Sequence, residues 1–246
     1  MFFAIILIGI VSACIGTLAG GGGLISLPAM MLFGIPIHTS IATNKFSSGI
    51  AALTSIIYLL RKKLLSIKLI LVNVCLALAG GVVGAVITSK ITENSMNITA
   101  LILMLFAFVV LIMNSKWVSA VENKESEKSS KQGFVIPILV AAYDGGFGPG
   151  SSTFAIIHYL TRNFSYIQAV QMTRVLIFGS CLGGFIVFYS TGFIEWDYAI
   201  AMAIGSAIGS QVGLRILPHI PLKVARNLLM VIISLLIIQM ISRLVF

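Results

Sequence analysis

The sequence predicts an all-α protein that crosses a membrane several times and is built from two inverted repeats. Three observations indicate this fold class. Hydrophobic residues make up 59% of the 246 residues and charged residues only 9%, whereas soluble domains average roughly 25% charged residues. The mean hydropathy of +1.09 reflects apolar runs long enough to cross a bilayer. Two glycine-rich breaks, each followed by a basic residue in an apolar segment, recur in the two halves of the chain.

Composition also excludes several classes of protein. A net charge of +9, from 16 basic and 7 acidic residues, would suggest nucleic acid as the partner of a soluble protein. In a chain this apolar, the lipid bilayer is the expected partner and the division of charge between its faces is informative. The three cysteines lie in apolar runs without paired spacing, so we expect no disulfide framework, metal or cofactor.

The first apolar run, residues 1–34, is interrupted by four consecutive glycines at 20–23. No basic residue precedes Lys45, so the run lacks the basic start of a secretory signal and is expected to stay in the membrane. Glycine at this density ends a helix, and the resulting pieces are mostly shorter than the roughly 20 residues of a span. The run is therefore predicted to be a broken helix or a re-entrant hairpin, which is tolerated only where protein or a wet cavity satisfies the backbone.

Three predicted spans follow, at residues 38–60, 68–89 and 98–113, and complete a first repeat over residues 1–113. Residues 114–132 are strongly polar and have no periodic apolar face. Such a segment has nothing to fold on, so it is predicted to be a cytoplasmic linker.

The second repeat, residues 133–246, has the same plan. Its first apolar run, residues 134–160, is broken by glycines and a proline within residues 144–150. Predicted spans follow at residues 166–190, 197–214 and 224–242. The repeat is supported by residue pairs that lie 129 positions apart, namely Lys45 with Arg174, Gly80 with Gly209 and Gly84 with Gly213. With a four-residue gap, Gly20, Gly21 and Gly23 match Gly145, Gly146 and Gly148.

The basic residues favour an inverted relation between the halves. If each broken segment is a hairpin that returns to its own side, each half crosses the membrane three times. Twelve basic residues then lie inside, namely Arg61, Lys62, Lys63, Lys68, Lys116, Lys124, Lys128, Lys131, Arg162, Arg215, Lys223 and Arg226. Only Lys90 and Arg243 lie outside. If the broken segments cross fully, the best division falls to 9 against 5, so the positive-inside rule favours inversion, with both termini outside.

Away from the ends of the membrane segments, only Lys45, Asp144 and Arg174 are charged. Each costs about 2.5–3.5 kcal/mol at a helix centre, so all three are expected to face the protein interior. Equivalent positions in an inverted repeat predict that Lys45 and Arg174 form a pair near the midplane. Two cations against one acid leave a positive charge that an anionic ligand would balance. Snorkelling, or a structural ion pair with Asp144, is the alternative.

The glycine breaks point to the same kind of ligand, because half-helices in transporters turn their N-termini toward anionic substrates. Ser26, Ser152 and Thr153 follow the breaks as further hydroxyl donors. Asn44, Thr43 and Thr173 either line the site or bond between helices, and Asp144 either carries a coupling proton or pairs with a buried cation. The predicted substrate-binding residues are Lys45, Arg174, Asn44, Thr43, Thr173, Gly21, Gly22, Gly23, Gly146, Gly148, Gly150 and Ser151.

The segment GTLAGGGGLISLP at residues 16–28, the triplet ending at Asn44 and the segment YDGGFGPG at residues 143–150 resemble the sulfite exporter TauE/SafE family of bacterial and archaeal membrane proteins. The resemblance covers nearly the whole chain. It implies a multi-pass protein of the cell membrane, not an enzyme, that carries sulfite, sulfonates or related organosulfur anions by alternating access. This chain has GPGSS at residues 148–152 where many relatives have GPGTG, a departure within a predicted ligand loop.

Two other functions stay open at this point. A passive anion channel would share the repeat and the buried cations but would need a continuous pore. A membrane-embedded enzyme would need an acid–base or metal cluster, and Asp144 has no neighbouring histidine or carboxylate in the sequence. The particular anion, the direction of transport, the coupling ion and the oligomeric state, a homodimer included, are not predicted.

Overall fold

The computed structural model describes residues 1–113 and 134–219, together with residues 224, 227, 231 and 234. Within these residues the chain forms helices and no strand, so the predicted all-α fold is confirmed. In chain order the helices are α1 (Phe2–Ala19), α2 (Gly22–Leu32), α3 (Ile37–Arg61), α4 (Ile67–Ser89), α5 (Glu93–Met113), α6 (Val135–Gly146), α7 (Ser151–Thr161), α8 (Tyr166–Ser190) and α9 (Trp196–Ile216).

Four of these helices are long and apolar enough to cross a membrane: α1, α4, α8 and α9. The chain is therefore a multi-pass membrane protein. The predicted segments at 38–60, 68–89, 98–113, 166–190 and 197–214 all coincide with helices. The linker at 114–132 and most of the predicted span at 224–242 lie outside the described residues.

Helix α3 has 25 residues but is not among the apolar spans. Its polar residues, including Ser40, Asn44, Lys45 and Ser47, lower its mean hydropathy. They are buried within the protein and therefore do not face lipid. The pieces of the first broken run are expected to be mostly too short to span the membrane. Helix α1 differs from this expectation, because its 18 residues before the glycine break have the length and hydropathy of a span.

Both glycine-rich breaks are helical hairpins. A β-carbon added to Gly22 at the start of α2 would lie 2.8 Å from the carbonyl oxygen of Ser12, so α2 folds back along α1. In the second half, the ring of Phe154 on α7 packs against Tyr143 on α6, with centroids 5.6 Å apart. The residue before each returning helix, Gly21 or Gly150, has a φ of 85° or 82°, which favours glycine.

The repeat has a constant register from these two glycines onward. Helices α2 and α7 each have 11 residues, and α3 and α8 each have 25. Their first residues lie 129 positions apart. The match of Gly21 with Gly146 is therefore wrong, since Gly21 shares its conformation and place with Gly150. The sequence alignment matched the two runs of glycines by residue type alone. The glycine with left-handed backbone before the returning helix is Gly21 in the first run, but it is Gly150, not Gly146, in the second.

The first helix of each half packs on the other half. Helix α1 lies along α9, and α6 lies along α4. A β-carbon on Gly80 would lie 2.7 Å from the carbonyl oxygen of Ile138, and one on Gly209 would collide with that of Ile10. Small residues allow this backbone approach, and Gly80 with Gly84 and Gly209 with Gly213 have the GxxxG spacing that is typical of it. The two contacts match Ile10 with Ile138, so α1 and α6 correspond at a spacing of 128 residues.

Helices α3 and α8 cross near their middles and run antiparallel. Gly49 on α3 lies opposite Cys181 on α8, at 3.5 Å from an added β-carbon, and Gly184 lies against the Lys45 side chain at 3.2 Å. Residues later in α3 therefore contact residues earlier in α8, as in an antiparallel helix pair. An inverted repeat predicts this direction for equivalent helices, while the side of the membrane on which each half begins stays a prediction.

Candidate functional site

A polar cavity of about 40 Å³ lies where the tips of the two hairpins meet α3 and α8. Its walls come from α1, α3, α6, α8, α9 and the N-terminal ends of α2 and α7. The predicted site residues that border it are Arg174, Asn44, Gly21, Gly22, Gly23, Gly148, Gly150, Ser151 and Asp144. The structure therefore brings nine of the 13 predicted site residues to one cavity.

Both returning helices begin at the cavity. Gly21 and Gly150 occupy the positions before α2 and α7 and have no side chain to cap the first turn. The Ser151 N–H at the start of α7 donates to the carbonyl oxygen of Gly148 at 3.0 Å. The first amide N–H groups of a helix have no partner in the helix itself, and its N-terminus carries a partial positive charge. Two such ends border one cavity, which suits a negatively charged ligand.

The hairpin tips touch each other through backbone. A β-carbon on Gly20 would lie 2.8 Å from the amide nitrogen of Thr153, and one on Gly23 would lie 3.3 Å from the α-carbon of Pro149. Gly20 also has a φ of 75°. Only glycine at residue 20 satisfies both the conformation and the close approach, so the breaks fix how the two halves meet.

Arg174 carries the unbalanced charge of the site. Its side chain is only 6% exposed, and its Nη2 donates a hydrogen bond of 2.6 Å to the carbonyl oxygen of Gly16. The Nε is buried without a hydrogen-bond partner. Among the described residues, no carboxylate lies within ion-pair distance of Arg174. A guanidinium has five N–H donors and no acceptor, so it can still bind an anion.

Lys45 is placed differently. It is 1% exposed, and its Nζ lies 3.6 Å from Oδ1 of Asp144. It does not border the polar cavity but a second, apolar cavity of about 220 Å³ between α3 and α8, lined by Phe46, Phe178 and Phe185 among others. The predicted pair at one shared cavity is thus not what the structure shows. Arg174 lines the polar cavity, while Lys45 lies behind Asp144, as the ion-pair alternative expects.

Asp144 is 3% exposed and fully engaged. Its Oδ1 accepts a hydrogen bond from the Ser151 hydroxyl and its Oδ2 accepts one from the Ser180 hydroxyl, each at 2.5 Å. The Cys181 thiol donates to Oδ2 at 3.5 Å. With Lys45, these contacts compensate a carboxylate that would be costly to bury alone.

Asn44 fulfils both functions that the sequence left open. It borders the cavity, and its Nδ2 donates to the Ser26 hydroxyl on α2 at 2.5 Å while its Oδ1 accepts from Ser48 at 2.8 Å. Thr43, Thr173 and Gly146 do not border the cavity. The Thr173 hydroxyl donates to the Ala169 carbonyl oxygen on its own helix, and Gly146 packs against Gly84 on α4.

Sequence reasoning missed several hydroxyl groups in the cavity wall. Ser12 on α1, Ser47 and Ser48 on α3, and Ser206 on α9 all border it. A single serine in an apolar helix carries no distinctive pattern. On α3, however, the cavity residues Asn44, Ser47, Ser48 and Ala51 have the spacing of one helix face, a signal that was present in the sequence.

Comparisons with known proteins agree on one family. The family model described as "Sulfite exporter TauE/SafE" matches residues 5–240. The chain is 29% identical over 231 residues to "Probable membrane transporter protein ORF9" of Sinorhizobium sp, covering 90% of this chain and 85% of that protein. It is 24% identical over 237 residues to "Probable membrane transporter protein YfcA" of Escherichia coli K12, covering 94% and 85%. "Probable membrane transporter protein YdhB" of Bacillus subtilis is 28% identical over 228 residues, covering 89% and 91%. No solved structure matches the chain.

Proposed function

The chain belongs to the sulfite exporter TauE/SafE family, and on that premise we propose that it is a secondary transporter of small anions in the cell membrane. One observation carries the proposal. The buried Arg174, without a carboxylate partner among the described residues, borders a polar cavity at which two helices begin after glycines that offer no side-chain cap. Each of these groups attracts negative charge, and together they form a site for one anion.

The charges of the site support a ligand with a negative charge. Lys45 and Arg174 contribute +2 and Asp144 contributes −1, which leaves +1 among the buried charged side chains that the structure describes. An isolated buried charge is strongly unfavourable. An anion that binds beside Arg174 removes this imbalance.

The size of the cavity supports a small ligand. Pockets for drug-sized molecules enclose about 300–1,000 Å³, whereas this cavity has about 40 Å³. Sulfite and short sulfonates carry several oxygens around one sulfur, which suits the forked guanidinium and the backbone N–H donors. The family description and the donor set together favour sulfite or a related organosulfur anion.

Alternating access is the mechanism that we favour. The hairpin tips touch through Gly20, Gly23 and Pro149, so the anion must pass a closed backbone contact. Relative movement of the two halves would open one side of the site and then the other. A passive channel instead needs a pore open to both sides at once.

Transport by the purified protein in liposomes tests the proposal. Labelled sulfite should exchange across the membrane, and Arg174→Met should reduce the rate at least tenfold. Arg174→Lys should be intermediate if the fork of the guanidinium matters. Single-channel currents would show that the protein is a passive channel and not a transporter. The absence of flux of both sulfite and methanesulfonate would contradict the proposed function.

A further inference from the structure

Gly16 in the first half occupies the position that is equivalent to Asp144 in the second half. Residues on α1 and α6 correspond at a spacing of 128, as Ile10 and Ile138 do at equivalent glycines. The two buried cations confirm this correspondence by their contacts. Lys45 lies beside the carboxylate of Asp144, and its counterpart Arg174 bonds the backbone of Gly16. The second half thus has a carboxylate where the first half has no side chain.

We propose that Asp144 fills one of two equivalent anion positions with a carboxylate of the protein itself, and that the transported anion fills the other, in the polar cavity that Arg174, Gly16 and the first turn of α2 border. This inference rests on the proposed function and locates its ligand. Asp144 is then a built-in copy of the substrate, held by one half in the manner in which the other half holds the anion.

The partners of Asp144 predict the partners of the anion. Lys45, Ser151 and Ser180 contact the carboxylate. Their counterparts at a spacing of 129 are Arg174, Gly22 and Ala51. All three counterparts border the polar cavity. The repeat and the cavity, which are independent observations, therefore select the same place.

Two further features show that this place is prepared for a ligand. The Nε of Arg174 is buried and lacks a partner, although the equivalent cation, Lys45, has its carboxylate. A β-carbon on Gly16 would lie 2.7 Å from the α-carbon and 2.8 Å from the amide nitrogen of Gly22. The backbones of α1 and α2 therefore touch at position 16, and this contact holds the first turn of α2, with its N–H donors, at the edge of the polar cavity.

The arrangement also sets the charge of the ligand. One anion position is permanently occupied by Asp144, so a single monoanion neutralises the remaining +1. A dianion would leave a net negative charge in a buried site. The structure thus favours monovalent anions such as hydrogen sulfite or a sulfonate.

Binding of methanesulfonate to the detergent-purified full chain tests the inference, because this sulfonate keeps one negative charge over a wide pH range. Ala51→Ser supplies the hydroxyl that Ser180 offers to Asp144. Since one hydrogen bond contributes modestly to affinity, we expect binding to tighten about threefold or more. Ala203→Ser is the matched control, a buried alanine on α9 that does not border the cavity, and it should leave the affinity unchanged. Arg174→Met should weaken binding at least tenfold.

Asp144→Gly provides a second measurement, because it makes position 144 resemble position 16. Calorimetry should then give two methanesulfonate ions per chain instead of one. If the wild-type chain binds one anion but Ala51→Ser does not tighten it, or if Asp144→Gly still binds one, the equivalence of the two positions is wrong and the proposed function survives. If the wild-type chain binds neither methanesulfonate nor sulfite, the proposed function itself fails.

Discussion

The ammonium group of Lys45 occupies the space that a β-carbon on residue 148 would take. Gly148 also has a φ of 104°, a backbone conformation that is unfavourable for other residues. The second glycine break is therefore needed for two reasons, the path of the chain and the position of a buried cation.

Gly148→Ala should lower the stability of the protein and displace Lys45 from Asp144. The backbone alone should cost about 1–3 kcal/mol, and the collision adds to this. Thermal unfolding of the detergent-purified variant measures the effect. Gly192→Ala is the control, since Gly192 has a φ of 77° but no atom within 4 Å of an added β-carbon. Equal unfolding temperatures for the two variants would show that the contact between residue 148 and Lys45 does not add to the loss of stability.

Lys45→Met should destabilise the protein more than Arg174→Met does. Removing Lys45 leaves the Asp144 carboxylate buried without its cation, and breaking a buried pair in this way costs about 3–5 kcal/mol. Arg174 has no carboxylate partner in the described structure, so its loss leaves no such charge behind. Unfolding temperatures of the two variants make the comparison.

Asp144→Asn in the Lys45→Met background is the matching control for this prediction. Because it removes the uncompensated charge, we expect it to restore a large part of the lost stability. If the double variant is no more stable than Lys45→Met, the ion pair is not what Lys45 contributes.

Gly84→Ala should prevent the normal packing of α6 on α4. The added β-carbon would collide with the carbonyl oxygen of Ala142, and neither backbone can move without separating the helices. Gly49→Ala on α3 meets only the β-carbon of Cys181, at an ordinary 3.5 Å, and alanine favours helix. The yield of monodisperse protein should fall for the first variant and stay normal for the second. Normal yield of both would show that the close approach is not required.

The loops around Lys63 and Gly192 should lie on opposite sides of the membrane, with Lys63 inside and Gly192 outside. The first loop is basic and the second is not, as the positive-inside rule requires. Single cysteines at these positions, in a chain without its native cysteines, can be labelled in intact cells with an impermeant maleimide. Only the cysteine at 192 should react. Labelling of both from outside would contradict the three-crossing arrangement.

The sequence predicted the helices well because membrane spans have a strong compositional signal. Apolar length located α4, α8 and α9, and glycine density located both hairpins. A spacing of 129 residues also matched Lys45 with Arg174, and the two residues have the same place along α3 and α8.

The different surroundings of these two cations could not be predicted in the same way. Whether a buried cation borders a cavity or forms an ion pair depends on the residue of the other half that packs against it. Asp144 faces Lys45 and Gly16 faces Arg174, and this correspondence follows from the packing of α1 and α6 on the opposite halves. Thr43 and Thr173 were misplaced for a related reason, because adjacent residues on a helix point in different directions.

The exchanged packing of α1 and α6 also bears on the ancestry of the chain. In a polypeptide made of one half, the first helix would keep its contacts within that half but lose its main packing partner, which two copies could supply to each other. Such a pair of identical subunits would hold two equal cations and could not keep an acid at only one of two equivalent places. In a single chain the two halves can differ, and at Gly16 and Asp144 they do. The asymmetry of the site is thus a property that a single chain can have and a pair of identical half-chains cannot.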